Sequence, residues 1–283
     1  MESKTVGIKQ VPSLTWHIRR VRADSAEFMD DQVVMEEPLE VVVNGQSVAV
    51  LMRLPGREKE LAAGFCVSEG YVRSADDILV IHHCGRSLPA PGPAEEEADD
   101  SRNRVELRVT QEGFHPPAQP GTVRLIRSGC GAADVSVLDE TLPEVTGDLQ
   151  VAVEVLLDLN RTLRDAQQVH NSAGGTHAAA LFTATGEPEV VAEDIGRHNA
   201  LDKVIGHCLL RHVLLVDKVL VTTGRASYEM AMKAVRLGIP IVATVSAPTS
   251  LAVQLAESRG LTLIGYLRGG RMNVYTHTRR VVT

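Results

Sequence analysis

The sequence predicts an α/β protein: a layered sheet covered on both faces in the C-terminal half, preceded by a smaller strand-rich α+β region. Three observations carry this. From Val151 onward, short apolar runs alternate with segments of helical period. Before residue 120 the apolar residues instead fall in β-rich runs, two of them joined at Asn44-Gly45. An apolar share of 44% over 283 residues is ample for a packed core, in one large or two modest domains.

Taken in order, residues 1–31 carry scattered charges around Trp16-His17-Ile18 and predict one strand with a loose tail. Val33 to Val43 and Gln46 to Arg53 predict a hairpin, because Asn and Gly both accept the positive φ of a type I′ turn. Pro55-Gly56 closes the second strand, and Glu58 to Gly70 has the spacing of an amphipathic helix ending at glycine. Pro89 to Asp100 is too polar and proline-rich to pack and predicts a surface loop. Val105 to Val109 alternates as a half-buried strand does, and Pro116-Pro117 ends the regular structure.

In the second half, Val151 to Leu163 predicts a helix, Ala178 to Phe182 a buried strand after Gly174-Gly175, and the run before Glu193 a second strand. Strands follow at Lys218–Thr223, Gly238–Val245 and Leu261–Leu267, with helices opening near Ala200, at Tyr228 and at Leu251. Strands separated by helices of that length imply helices on both faces of the sheet.

Each strand exit carries polar groups: Glu193-Asp194 with Arg197 and His198, then Gly224-Arg225-Ala226-Ser227, then Ser246-Ala247-Pro248-Thr249, then Arg268-Gly269-Gly270-Arg271. In an open α/β sheet, ligands bind at the carboxyl ends of strands, and the free N–H groups of a following helix suit an anion. At the first exit two readings stay open: Arg197 and His198 face an anion, or Asp194 caps the helix and both are solvated. The four exits together point to a phosphate or nucleotide, with Arg225, Arg268 and Arg271 as forked donors.

A net charge of −7 with no basic block argues against duplex nucleic acid as a partner. No apolar run approaches a membrane span and no signal peptide is indicated, so a cytoplasmic protein without a membrane partner is expected. Cys66, Cys84, Cys130 and Cys208 form no C-x-x-C pair, which argues against a zinc knuckle or a dithiol motif. Cys66 and Cys208 sit in apolar surroundings and are expected to be buried. Cys130 lies between Gly129 and Gly131, where the backbone is permissive and a thiol can be exposed.

These residues resemble the formate dehydrogenase accessory sulfurtransferases, the FdhD/NarQ family, along most of the chain. The matching stretches are Glu36 to Glu40 with Asn44-Gly45, Glu60 to Phe65 with Ser68-Glu69-Gly70, and Gly174 to Ala179. They continue with Glu193 to Lys203, Gly224 to Met230, Ser246 to Thr249, and Gly265 to Asn273.

The resemblance implies a carrier that takes sulfur as a persulfide from a cysteine desulfurase of the IscS type. It would pass that sulfur to the molybdenum of the bis-molybdopterin guanine dinucleotide cofactor before insertion into formate dehydrogenase. The cofactor is then a bound substrate, and no metal of the protein's own is implied. The resemblance also implies a homodimer and a C-terminal three-layer α/β/α domain of cytidine-deaminase-like type over 146–283. An N-terminal α+β domain would take 1–120, and 121–145 would form a bridge carrying the Cys130 loop.

By matching position, Cys130 is the persulfide cysteine, and Tyr266, Leu267, Arg268, Gly269, Gly270 and Arg271 fall on the cofactor-binding segment. Arg197, His198, Gly224, Arg225, Ser227, Ser246 and His177 are the further candidates for holding pterin or phosphate groups. Arg127 could favour the thiolate. Many family members carry C-x-x-C at this loop, whereas this chain reads Cys130-Gly131-Ala132-Ala133, so any sulfur must leave from Cys130 itself. That departure keeps an alternative open: a cofactor-binding chaperone that has lost efficient sulfur transfer. A zinc deaminase on the same layering would need H-x-E and P-C-x-x-C, and the sequence has neither.

Overall fold

The computed structural model describes residues 11–83, 103–116, 124–126 and 142–283. Cys84, the 89–100 loop, Arg127, Cys130 and Ala133 lie outside the described residues.

Two strands rather than one precede residue 35: β1 (Ser13–Val21) and β2 (Ala26–Val34) form an antiparallel ribbon. The turn between them closes with the Arg22 N–H donating to Ser25 O at 2.8 Å, a link that the scattered charges of this stretch conceal. A five-stranded sheet follows in the order β5-β6-β3-β4-β7. Its strands are β3 (Glu37–Val43), β4 (Gln46–Arg53), β5 (Ile78–His83), β6 (Arg104–Val109) and β7 (Arg124–Ile126). Asn44 and Gly45 have φ of 48° and 82°, the type I′ geometry that this pair favours. β7 lies within the stretch expected as a bridge and pairs in parallel with β4, with Ile126 opposite Leu51.

Helix α1 (Glu58–Ser68) is not amphipathic in its setting, contrary to expectation, because every residue from Leu61 to Ser68 is buried. One side packs on the five-stranded sheet through Leu61, Phe65 and Cys66. The other meets α4 (Arg197–Leu209) at two glycines: a Cβ on Gly64 would fall on the backbone oxygen of Asp202, and one on Gly206 on that of Glu60. The two backbones approach too closely for any side chain at these positions.

The six-stranded sheet has the order β10-β9-β11-β12-β13-β14. Its strands are β9 (His177–Phe182), β10 (Pro188–Asp194), β11 (Val219–Thr222), β12 (Ile241–Thr244), β13 (Thr262–Arg268) and β14 (Arg271–Val274). β11, β12 and β13 run parallel, while β9 runs against both its neighbours and β14 against β13. Strand alternation sends Ala178, Ala180, Phe182, Val219 and Val221 toward α2 (Val153–Asp165), which answers with Leu156, Leu159 and Leu163. Ala179, Leu181, Leu220 and Val242 face α4, α5 (Tyr228–Arg236) and α6 (Ser250–Arg259) on the opposite side. The sheet is therefore covered on both faces, as the alternating pattern requires.

Helix α2 starts at Val153 rather than at Val151, because β8 (Val151–Ala152) pairs with β15 (Val281–Val282). A short helix not expected from the sequence, α3 (Gln168–Ala173), precedes β9 and packs against β2. No helix among the described residues is long and apolar enough to cross a membrane.

Candidate functional site

The direction of the strands places the expected exits on one edge of the six-stranded sheet. β10, β11, β12 and β13 all end there, and β9 and β14, running the other way, begin there. Side-chain and backbone contacts join the exits into one rim. His177 Nδ1, at the start of β9, lies 3.2 Å from Thr223 Oγ1 at the end of β11. Arg197 lies across Gly224, where an added Cβ would stand 2.7 Å from Arg197 Cδ, so only glycine lets the first exit touch the second. Ala226 bridges Pro248, and the Thr249 N–H donates to Ala226 O at 2.9 Å. The Tyr266 N–H donates to Ser246 O at 3.0 Å, linking the third exit to the fourth.

Three helix N-termini open onto this rim, with Gly196, Ser227 and Thr249 as the capping positions of α4, α5 and α6. The Ser227 hydroxyl is buried and accepts no capping bond, whereas Thr249 Oγ1 accepts from the Ala252 N–H at 3.4 Å. Arg225, Arg268 and Arg271 are exposed, and none has a carboxylate partner among the described residues. Arg268 rests over the Tyr266 ring at 5.5 Å. Tyr266 has φ 55°, an uncommon conformation for an aromatic residue, at an irregularity in the β13–β14 pairing. Gly269 and Gly270, with φ of 62° and 71°, make the tight turn that puts Arg268 opposite Arg271. Leu267 turns inward into the core, leaving only its backbone at the rim.

His198 Nε2 is 3.1 Å from Glu229 Oε2, and its side chain is 12% exposed. Burial, and then the positive charges of Arg197, His170 and His198, press the imidazole of His177 below its usual pKa. The Arg197 guanidinium near His177 adds a fixed positive charge at the β9–β10 corner to those of the arginine turn, a spacing that suits an extended polyanion.

Most polar residues of Glu193 to Lys203 do not face the rim. Glu193 accepts from the N–H groups of Val169 and His170, each at 2.8 Å, and from Thr176 Oγ1, closing the first turn of α3. Asp194 is fully buried against Lys203 at 2.7 Å, so it is neither a ligand group nor the side-chain cap of α4. Asp202 is buried against Lys233 at 2.7 Å. Of this stretch only Arg197 and His198 reach the rim.

The profile of the FdhD/NarQ family matches residues 34–282. The chain belongs to the FdhD/NarQ family. A relative from Nocardia farcinica named "Sulfur carrier protein FdhD" is 42% identical over 258 residues, covering 89% of this chain and 88% of its own. One of the same name from Sulfurisphaera tokodaii is 38% identical over 267 residues, covering 93% and 96%. The fold is similar to the crystal structure of a candidate formate dehydrogenase accessory protein from Desulfotalea psychrophila, with a TM-score of 0.76 at 26% identity, covering 96% of this chain and 100% of that one.

Within this FdhD/NarQ chain, the structure adds three rim residues that the sequence did not single out: Thr223 beneath His177, Glu229 against His198, and His170 beside His177. Glu229 lies inside the Gly224–Met230 motif and could have been paired with His198 by charge; Thr223 and His170 carry no local signal. Cys66 and Cys208 are buried, as expected, and burial raises both thiols, Cys208 to about 12. Neither can serve as a thiolate near neutral pH. Among the described residues, no group of three or more His, Cys, Asp or Glu is placed to hold a metal ion.

Proposed function

We propose that this chain is a cytoplasmic sulfurtransferase. It takes sulfur as a persulfide on Cys130 from a cysteine desulfurase of the IscS type and delivers it to the bis-molybdopterin guanine dinucleotide form of the molybdenum cofactor, which then enters formate dehydrogenase. The single observation carrying this reading is the continuous rim: four strand exits in contact with one another, three helix N-termini, and three arginines without carboxylate partners among the described residues. The guanine dinucleotide ends of the cofactor carry pyrophosphates, the anion that such a rim receives. The relatives' name supports the sulfur chemistry. Helices on both faces of a six-stranded sheet agree with a cytidine-deaminase-like C-terminal layer, and we read the protein as a homodimer in keeping with its family.

In loading, the Cys130 thiolate attacks the outer sulfur of the desulfurase persulfide. The new S–S bond forms on Cys130, and the old one breaks with its electron pair kept by the desulfurase cysteine, which leaves as thiolate. In delivery the S–S bond of the Cys130 persulfide breaks, and its electron pair stays on Cys130 as thiolate. The departing sulfur is reduced to sulfide by two electrons from the accepting molybdenum centre. Arg225, Arg268, Arg271, Gly224, Ser227 and Ser246 would hold the pyrophosphates, and His177, Arg197 and His198 the pterin or phosphate groups nearer the β9–β10 corner.

The alanine at 133 favours one alternative, a chaperone that shelters the cofactor without loading it. Intact-mass spectrometry after incubation with a desulfurase and cysteine separates the two. One added sulfur, absent from Cys130→Ala, is expected together with loss of formate dehydrogenase maturation in cells carrying that variant. Normal maturation with Cys130→Ala overturns the carrier reading in favour of the chaperone.

A further inference from the structure

The β1–β2 ribbon pairs with neither of the two larger sheets. Its base rests on the body, where β2 packs against α3, and its tip closes between Arg22 and Ser25. Strand alternation at the base decides which face the body takes. Val34 is half-buried, its Cγ2 3.2 Å from where a Cβ on Gly175 would stand, whereas Val33 beside it is exposed on the opposite face. That opposite face carries Leu14, Trp16 and Ile18 from β1 with Met29 and Val33 from β2, since Leu14 lies opposite Val33 and Ile18 opposite Met29. Leu14, Trp16 and Val33 are exposed, Trp16 to 56%. A second apolar cluster sits near the tip, on the face that the body takes at the base. It consists of Val21 and Phe28, the latter 70% exposed with its ring stacked on His17 at 5.6 Å.

A two-stranded ribbon is marginal in water unless its apolar face is covered, and a contiguous exposed apolar face marks an interaction surface. The charges of the ribbon narrow the partner. Arg20 pairs with Asp31 at 3.4 Å, Arg22 with Glu27 at 3.3 Å, and His17 meets Asp30 at 3.0 Å. With its charged groups largely paired internally, the ribbon offers apolar surface and little field, so a strongly charged partner gains little from it. Area narrows the arrangement. Two paired strands of nine residues are ~30 Å long and ~10 Å wide, or about 300 Å² on one face. Stacking that face on its own copy would remove about 600 Å² in all, the scale of crystal packing, whereas seating each ribbon on the body of the other copy removes about 1,200 Å², where stable interfaces begin. The second arrangement closes around a two-fold axis. Each ribbon then lies between the partner's body and the partner's ribbon, with the two tip clusters in mutual contact.

We propose that β1 and β2 form a dimerisation arm: its Leu14–Trp16–Val33 face seats on the body of a second copy of this chain, and the Val21–Phe28 tips of the two arms meet at the two-fold axis. This rests on the homodimer reading and is independent of the sulfur chemistry.

Trp16 is the only tryptophan in the sequence, so the tryptophan fluorescence of the full chain reports on this face alone. Sedimentation equilibrium and emission are followed through one dilution series. The expected result is a dimer whose dissociation shifts the Trp16 emission to the red, with quenching by acrylamide rising in step. Phe28→Glu, which keeps the reporter, and Trp16→Glu should each raise the dimer dissociation constant roughly tenfold or more. Circular dichroism checks that both variants are folded, and the quenching of the wild-type chain decides the matter should either fail to fold. A chain that is monomeric at every concentration overturns the homodimer reading, and the arm with it. A dimer in which Trp16 stays as open to acrylamide as in the monomer, or which keeps its affinity in both variants, overturns the arm alone and assigns the two-fold contact to another face.

Discussion

Replacing Lys233 by methionine tests how the α1–α4–α5 junction is held. Lys233 Nζ, completely enclosed, donates to Asp202 Oδ1 and Oδ2 at 2.8 and 2.7 Å and contacts Glu69 Oε1 at 3.0 Å, while Ser68 Oγ donates to Asp202 Oδ1 at 2.7 Å. The two carboxylates beside it hold the ammonium protonated well above its ordinary range despite burial. In Lys233→Met, Glu69 can turn to water, since its side chain is 19% exposed, but Asp202 is left buried with only the Ser68 hydroxyl. An unpaired buried carboxylate of this kind costs ~3–5 kcal/mol, a large share of the ~5–15 kcal/mol that holds a fold together. In urea, with a slope of about 3 kcal/mol/M, the unfolding midpoint should fall by roughly 1–1.7 M. The sign of the pH effect follows from Asp202, whose carboxyl is already pushed up by burial. With its folded pKa above the unfolded value, lowering the pH through that window protonates Asp202 in the folded state, so the deficit of the variant shrinks in acid and is complete above the folded pKa. Asp202→Asn/Lys233→Met should recover to within about 1 kcal/mol of the parent. A single variant that loses less than ~1 kcal/mol, or a double variant no better than the single, refutes the reasoning.

Gly206→Ala should cost about 1–3 kcal/mol in thermal unfolding, because its Cβ would strike the backbone oxygen of Glu60 and force α1 from α4; an unchanged transition would mean that the helices separate freely. Iodoacetamide at pH 8 should leave Cys66 and Cys208 unmodified in the folded chain and label both in denaturant, and labelling of either under native conditions contradicts their enclosure. In an NMR titration, His177 should lose its proton below the ordinary histidine pKa, and GDP, by offsetting the charges of Arg197 and His198, should move that pKa upward; a downward move places the anion elsewhere. Arg268→Ala and Arg271→Ala should each weaken GDP binding about tenfold or more, with the loss shrinking at high salt. Equal affinity in calorimetry would remove the arginine turn from the site.

Local chemistry was legible wherever one or two residues decide the backbone. Asn44-Gly45 announces its hairpin, and the apolar run Ala178 to Phe182 announces a strand buried on both faces. The strand exits could be read as one rim because every parallel strand must release its ligand groups at the same edge. Partners far along the chain were not legible. The spacing in α1 suggests a solvated face, and that face is instead covered by α4, more than 130 residues away, through two glycines that sequence reading takes for loose positions. Gly269-Gly270 reads as a phosphate loop but is also the turn of a β-hairpin, and Arg271 to Val274, with polar residues at alternate places, hides the edge strand β14.

The hardest reading concerns Glu193 to Lys203, where five polar residues turn away from solvent. A buried ion pair and a ligand site ask for the same residue types, so composition cannot separate them; only the partner can. For Asp194 and Lys203 the partner is the backbone of Leu54, a group with no signature in any side chain. Once that partner is known, the order of the motif has a physical reason. Asp194, Asn199 and Lys203 recur on one side of the strand exit and the first turns of α4 and lock it to β4, while Arg197 and His198, between them, are left on the rim side. Lys233, on α5, performs for Asp202 what Lys203 performs for Asp194, on the side of α4 that meets α1. Each lysine fastens α4 to a different part of the N-terminal half, one to the end of β4 and one to the end of α1. The two exposed-side residues at its N-terminus are thereby held by a helix that cannot rotate or slide without breaking a buried ion pair, which is the rigidity an anion-gripping corner requires.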